Sequence, residues 1–228
     1  VDGRTVKKAS FDVTEENEIA VTGVPYEYVS RGGVKLSAAL DSFNISVENA
    51  VCADIGASTG GFTDCLLRRG AAKVYAVDSG SGQLAKEIAQ DERVVNIENF
   101  NARYLTRESL GCGCDVAVMD VSFISQTLIL PAVKNVLKDS GVLVSLIKPQ
   151  FECGKEGLGK GGIVRDKSIA HNAVMRVISS AGENSLGCVG LIKSPVTGGD
   201  GNTEFLMVCR PHTENTVTSE YVKKICFG

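Results

Sequence analysis

A chain of 228 residues that is 43% hydrophobic and 22% charged has the length of one generous domain with a core of its own. Its formal charge of −3 does not advertise a nucleic-acid binder, although a local basic face can hold phosphate on an acidic protein. Its apolar runs, such as Val142 to Ile147, are too short to span a bilayer, and no charged segment followed by an apolar one opens the chain as a secretory leader would.

The first residue is Val1, which suggests a fragment or a processed product. Eight cysteines stand at 52, 65, 112, 114, 153, 188, 209 and 226, mostly inside apolar runs, and read as small buried hydrophobes in a reduced, cytoplasmic compartment. Cys112 and Cys114 form the one close pair. Only His171 and His212 could add imidazole, so no metal site is expected.

In chain order, Val1 to Lys8 and Phe11 to Val21 read as short strands around a turn, which cannot hold a core alone. From Ser30 the pattern turns helical through Val34, Leu36, Ala38, Ala39 and Leu40. Strands are predicted at 51–55, 73–78, 94–98, 115–120, 141–147, 187–193 and 204–210, with helices near 61–69, 82–90, 125–138 and 167–183. This alternation predicts an α/β fold, a mostly parallel seven-stranded sheet with helices on both faces. One long glycine-rich loop, Gly154 to Asp166, has the length of functional or mobile loops.

The run from Asp54 to Asp64, Asp-Ile-Gly-Ala-Ser-Thr-Gly-Gly-Phe-Thr-Asp, joins a strand to a helix through a glycine turn. Such turns bring backbone close to a nucleotide-like ligand. The spacing is neither the dinucleotide fingerprint nor a phosphate loop. A carboxylate at the strand end suits a cationic ligand, and the sulfonium nucleoside S-adenosylmethionine fits. Asp78, ending the second strand, is placed to accept from ribose hydroxyls, with a helix N-cap as the ordinary alternative. Asn101 is placed to read an adenine edge, or is a plain loop residue. Asp120 ends the fourth predicted strand and Lys148 directly follows the fifth, so both face the cleft that open α/β sheets form there, with snorkelling to solvent as the ordinary alternative for Lys148. Lys35 sits near a helix N-terminus, where cations are disfavoured, so it has another reason to be there. Glu204 opens the last predicted strand.

Arg31 to Leu36, Asp54 to Asp64, Asp120 to Ser125, Leu146 to Glu152 and Gly159 to Asp166, in this order, resemble the TlyA group, often labelled haemolysin A. That group is similar to the FtsJ-like ribosomal RNA 2′-O-methyltransferases, and the resemblance spans about Val24 to Arg210. It implies a class I methyltransferase sheet, S-adenosylmethionine as cofactor, and a ribose hydroxyl of ribosomal RNA, in a cytidine, as acceptor. It carries a catalytic set onto Lys35, Asp120, Lys148 and Glu204, with Asp54, Gly56, Ala57, Ser58, Gly60, Gly61, Phe62, Asp78, Asn101 and Asp120 around the cofactor. Lys148 is the expected base, with the Lys35 ammonium close by to disfavour its charged form and Asp120 and Glu204 orienting the lysines and the hydroxyl.

The group carries an S4-type RNA-binding domain ahead of the methyltransferase, and residues 1 to 21 resemble only its last portion. The expected division is therefore an S4 remnant and linker at 1–23, the methyltransferase at 24–212 and a helical tail at 213–228. The implied partner is ribosomal RNA or a ribosomal subunit, with no membrane. Three alternatives stand beside this reading: a haemolysin-like membrane-active protein, a cofactor-fold RNA-binding module without catalysis, and a small-molecule methyltransferase.

Overall fold

The computed structural model describes residues 1–6, 11–20 and 27–228. Seven strands form one sheet: β1 (Val51–Ile55), β2 (Lys73–Val77), β3 (Val94–Ile97), β4 (Cys114–Met119), β5 (Leu137–Ile147), β6 (Leu186–Lys193) and β7 (Phe205–Pro211). Their spatial order is β3-β2-β1-β4-β5-β7-β6. The first five lie parallel, and β7 runs antiparallel between β5 and β6. The mostly parallel seven-stranded sheet is as expected.

Among the described residues eight α-helices flank and connect the strands: α1 (Arg31–Ser42), α2 (Gly61–Arg68), α3 (Lys86–Ala89), α4 (Arg107–Leu110), α5 (Leu130–Val136), α6 (Pro149–Glu152), α7 (Lys167–Glu183) and α8 (Ser219–Phe227). Ser30 caps α1 by accepting from the Gly32 backbone N–H. Asp166 caps α7 in the same way through Ser168.

Side chains alternate across each strand, so the sheet has two separate cores. One face carries Ala53, Ile55, Ala117, Met119, Leu143 and Met207 and packs with residues of α5 and α7. The other carries Cys52, Val116, Val118, Val144, Leu146, Leu206 and Val208 and is covered by Leu36, Ala39 and Leu40 of α1 and Leu66 of α2. Burial on both faces explains why the strands read as near-continuous apolar runs.

Three expectations need correction. The segment 125–138 is not one helix: a short 3-10 turn at Gln126–Leu128 precedes α5, and Leu137 already pairs with Cys114 as the start of β5. Pro131 sits in the first turn of α5, where its missing N–H costs nothing, and so starts the helix late. No strand forms among the described residues 1–6 and 11–20, which are held instead by bonds such as Asp2 N to Glu18 O at 2.8 Å. The rest of those expected strands, 7–8 and 21, lies outside the described residues. The 82–90 helix shrinks to the four residues of α3.

The eight cysteines carry free thiols; Cys112 and Cys153 are half-buried and the other six buried. Among the described residues no helix is long and apolar enough to cross a membrane.

Candidate active site

Strand parity gathers the polar groups. On β4, Val116 and Val118 point towards α1 and α2, and Asp120 follows two residues later. On β5, Val144 and Leu146 face the same way, and Lys148 follows by the same step. On β7, Leu206 and Val208 share that face, with Glu204 two residues before Leu206. Ile147 pairs with Phe205 in the antiparallel ladder, which sets Lys148 and Glu204 opposite each other just past its end. Lys35 hangs from α1, the helix that covers this face. Four charged side chains from four elements thereby meet at the carboxyl ends of the parallel strands, where open α/β sheets place their ligands.

They are arranged as two ion pairs. Lys35 Nζ lies 2.5 Å from Glu204 Oε2, with both side chains buried. Lys148 Nζ lies 2.6 Å from Asp120 Oδ1, off the hydrogen-bond line, and donates to the Ser122 hydroxyl at 2.8 Å. The expected push of one ammonium on the other is therefore compensated: each lysine has a carboxylate of its own. Lys148 also stands 5.7 Å from the Phe151 ring centroid, on which Phe123 packs at 5.0 Å.

Two adjoining cavities open here. The larger, about 550 Å3, is lined by Asp78, Phe100, Asn101, Ile124 and Ile129. The smaller, about 160 Å3, is lined by Ser30, Ala57, Gly61, Phe62 and Lys148. Gly56, Ser58, Asp120 and Ser122 line both and mark the junction. Gly56 has φ +85, and a Cβ there would stand 2.5 Å from the Asp120 carbonyl oxygen, so only glycine fits.

Asp78 accepts from the Ser58 and Gly80 backbone N–H groups, both at 2.8 Å, and its carboxylate borders the larger cavity. Asn101 Oδ1 is occupied by the Arg103 backbone N–H at 3.1 Å and by its Nε at 3.2 Å, which leaves the amide nitrogen for a ligand. Asn101 thus caps a 3-10 turn and borders the cavity at once.

Two expected cofactor residues stand behind the cleft. Asp54 shares the face of Cys52, is fully buried, and accepts from the Thr63 hydroxyl of α2 at 2.6 Å. Burial, with Asp120 and Asp78 adding repulsion, pushes its carboxyl up to about 7, and Oδ1 has no partner among the described residues. Gly60 borders neither cavity; its φ of +92 starts α2, and a Cβ there would meet Leu84 at 2.8 Å.

Ser122, Phe123 and Phe100 were not singled out from sequence. Phe123 is 92% exposed with φ +62, a conformation disfavoured for a bulky side chain and most often found at functional turns. Apolar residues beside Asp120 read as strand continuation, so no sequence signal marked that turn. The loop 154–166 contains two 3-10 turns, and buried Asn202 ties it down through Val164 N at 2.9 Å and Gly162 O at 3.0 Å.

The sequence pattern of the FtsJ-like methyltransferase family matches residues 28–210. A Bacillus subtilis protein provisionally named the rRNA methyltransferase YqxC is 50% identical over 201 residues, covering 88% of this chain and 72% of that one. The Mycobacterium tuberculosis 16S/23S rRNA (cytidine-2'-O)-methyltransferase TlyA is 41% identical over 221 residues, covering 96% and 82%. Among solved structures, a Streptococcus thermophilus protein provisionally named a haemolysin superposes with a TM-score of 0.86 at 44% identity, covering 90% of this chain and 75% of that one. Aeropyrum pernix fibrillarin, solved with natively bound S-adenosyl-L-methionine, has a TM-score of 0.56 at 17% identity, covering 78% and 76%, and shares the fold. The architecture is the class I S-adenosylmethionine-dependent methyltransferase fold. The chain belongs to the FtsJ-like methyltransferase family, within its TlyA and haemolysin A group.

Proposed function

We propose that this chain methylates a ribose 2′-hydroxyl of ribosomal RNA, in a cytidine, with S-adenosylmethionine as donor. One observation carries the reading: in the Lys148–Asp120 pair, Asp120 lines both cavities and Lys148 the smaller, so the pair stands where a donor lying along the cleft and an acceptor entering from outside would meet. The rRNA and cytidine assignments draw on the name of the 41% identical relative.

The cleft suits the cofactor. Its larger lobe lies within the roughly 300–1,000 Å3 of small-molecule sites and combines apolar walls with the polar side chains of Ser58, Asp78, Ser79, Gln83, Asn101, Asp120 and Ser122. Asp78 is read as taking the ribose hydroxyls, Asn101 the adenine edge, and Phe100, Ile124 and Ile129 the faces of the base. Gly56, Ala57, Ser58, Gly61 and Phe62 present the turn to the remainder, while Asp54 and Gly60 support that turn from behind. When bound, S-adenosylmethionine supplies a methyl group activated by its sulfonium charge.

The residues must then orient a weak nucleophile and remove its proton. Lys148 Nζ is the group that meets the acceptor oxygen, and Asp120 and Ser122 fix where Nζ points. The Lys148–Asp120 pair takes up the hydroxyl proton as the oxygen attacks. Lys35 and Glu204, too buried to meet RNA directly, hold the wall behind Lys148.

The test is transfer of a labelled methyl group to isolated ribosomal subunits, followed by nucleoside analysis of the digested RNA. Label in 2′-O-methylcytidine is the expected result. Label on a base, or none on RNA, would overturn the reading.

A further inference from the structure

Behind the cavity wall lies a buried polar clamp with no direct part in the proposed reaction. Glu152 of α6 is 2% exposed, and both carboxylate oxygens are engaged. Oε1 accepts from the Gln126 backbone N–H at 2.8 Å and Oε2 from the Ser125 hydroxyl at 2.5 Å. The Gln126 side chain, equally buried, accepts from the Ser145 hydroxyl at 2.6 Å and donates to the Leu146 carbonyl at 2.5 Å. Ser145 and Leu146 lie on β5, just before Lys148. Arg176 of α7 donates to the Glu152 carbonyl at 3.0 Å. Burial pushes the Glu152 carboxyl above its ordinary range. Desolvating a carboxylate is costly, and an apolar side chain would fill the space without that cost.

What the clamp holds is the turn Val121 to Ile124, all four of which line the larger cavity. At its centre Phe123 has φ +62, a strained conformation for a bulky side chain that persists only where the flanks over-determine it. One flank is fixed to the sheet by Asp120 N donating to Ile55 O at 2.9 Å. The other flank is fixed by Glu152. Between them, Ser122 receives the Lys148 ammonium.

We propose that Glu152 is a positioning residue for the methyl transfer: through Ser125 and Gln126 it locks the 121–124 turn against β5, so that Ser122 and Asp120 hold Lys148 Nζ at the cleft junction. This rests on the reading of Lys148 as the group that meets the acceptor hydroxyl.

The chain has no tryptophan, so Phe123→Trp places a single fluorescent reporter on the turn. In that background, Ser125→Ala and Glu152→Ala should lower its anisotropy. Glu152→Gln should keep most of it, because its amide can donate to Ser125 Oγ while that hydroxyl turns to Thr127 Oγ1, 2.8 Å away. With Phe123 restored, kcat for rRNA methylation should fall by about tenfold or more in Glu152→Ala and about fivefold in Ser125→Ala, with KM little changed, and Glu152→Gln should recover most of it. Should Glu152→Ala not fold, Ser125→Ala, which removes one half-buried hydroxyl, carries the test. A lower unfolding midpoint with anisotropy and kcat unchanged would reduce the clamp to a structural role and overturn the proposal. Lower anisotropy with unchanged kcat would overturn its link to Lys148. Failure of the parent chain to methylate rRNA, with anisotropy still responding to Ser125→Ala, would sink the functional reading while the clamp on the turn stands.

Discussion

Lys35 and Glu204 stand 169 positions apart in the chain and meet at 2.5 Å, with side chains 9% and 3% exposed. The contact ties α1 to the entrance of β7, where Glu204 stands opposite Lys148 just past the end of the ladder. A pair this buried returns little net stability over an apolar pair of the same volume, while breaking one half is expensive.

Lys35→Ala should therefore destabilise the fold by about 3–5 kcal/mol, because it strands the Glu204 carboxylate in the core. The double variant Lys35→Met with Glu204→Leu should regain most of that stability and, with the wall rebuilt by apolar side chains, recover methyl transfer with it. Urea unfolding and an activity assay on the same preparations check both statements. A single Lys35→Ala variant as stable as the parent would refute the buried pairing.

Asp54 gives the fold a pH signature. Its carboxyl is raised by burial from 3.8 to about 7, so between these values the folded chain keeps a proton that the unfolded chain has lost. This contribution to stability falls as pH rises through that window, by up to about 1.4 kcal/mol per unit, and is flat above it. Asp54→Asn abolishes the titration. The stability of parent relative to variant, from urea unfolding at a series of pH values, should decline from about pH 4 to pH 7 and then level off. A difference independent of pH would contradict the assignment.

The glycine turn separates two roles. At Gly56 a Cβ meets the Asp120 backbone at 2.5 Å, whereas at Gly60 it meets the end of the Leu84 side chain at 2.8 Å. Gly56→Ala must displace the Asp120 strand end, and Gly60→Ala can be absorbed by a rotamer change at Leu84, apart from the strain of a positive φ. Calorimetry with S-adenosylmethionine should show the greater loss of affinity in Gly56→Ala, by about tenfold or more relative to Gly60→Ala. The opposite ranking would move the cofactor contact to Gly60.

Much of this was legible because it is local. Asp166 as cap and the 3.6-residue pattern define α7 at Lys167–Glu183, and β1 needs only its apolar run bounded by the glycine turn. Strand parity also follows from sequence: Val118 to Asp120 and Leu146 to Lys148 are each one two-residue step. Non-local features were not legible. β5 starts at Leu137 because Cys114 pairs with it, and nothing in Lys138, Asp139 or Ser140 reads as strand. Lys35 finds Glu204 across 169 residues. The strained turn at Phe123 depends on Glu152, whose buried carboxylate looks in sequence like an ordinary exposed residue after Phe151.

The most direct test of the central claim is single-turnover methyl transfer to ribosomal subunits by Lys148→Ala, Asp120→Ala and the double variant, each first shown by calorimetry to bind S-adenosylmethionine. Groups that act as one unit are non-additive. Each single variant should lose about 100-fold or more, and the double should be little worse than either. Lys148→Ala turning over near the parent rate, or losses that multiply in the double variant, would contradict the Lys148–Asp120 pair as the unit that carries the reaction.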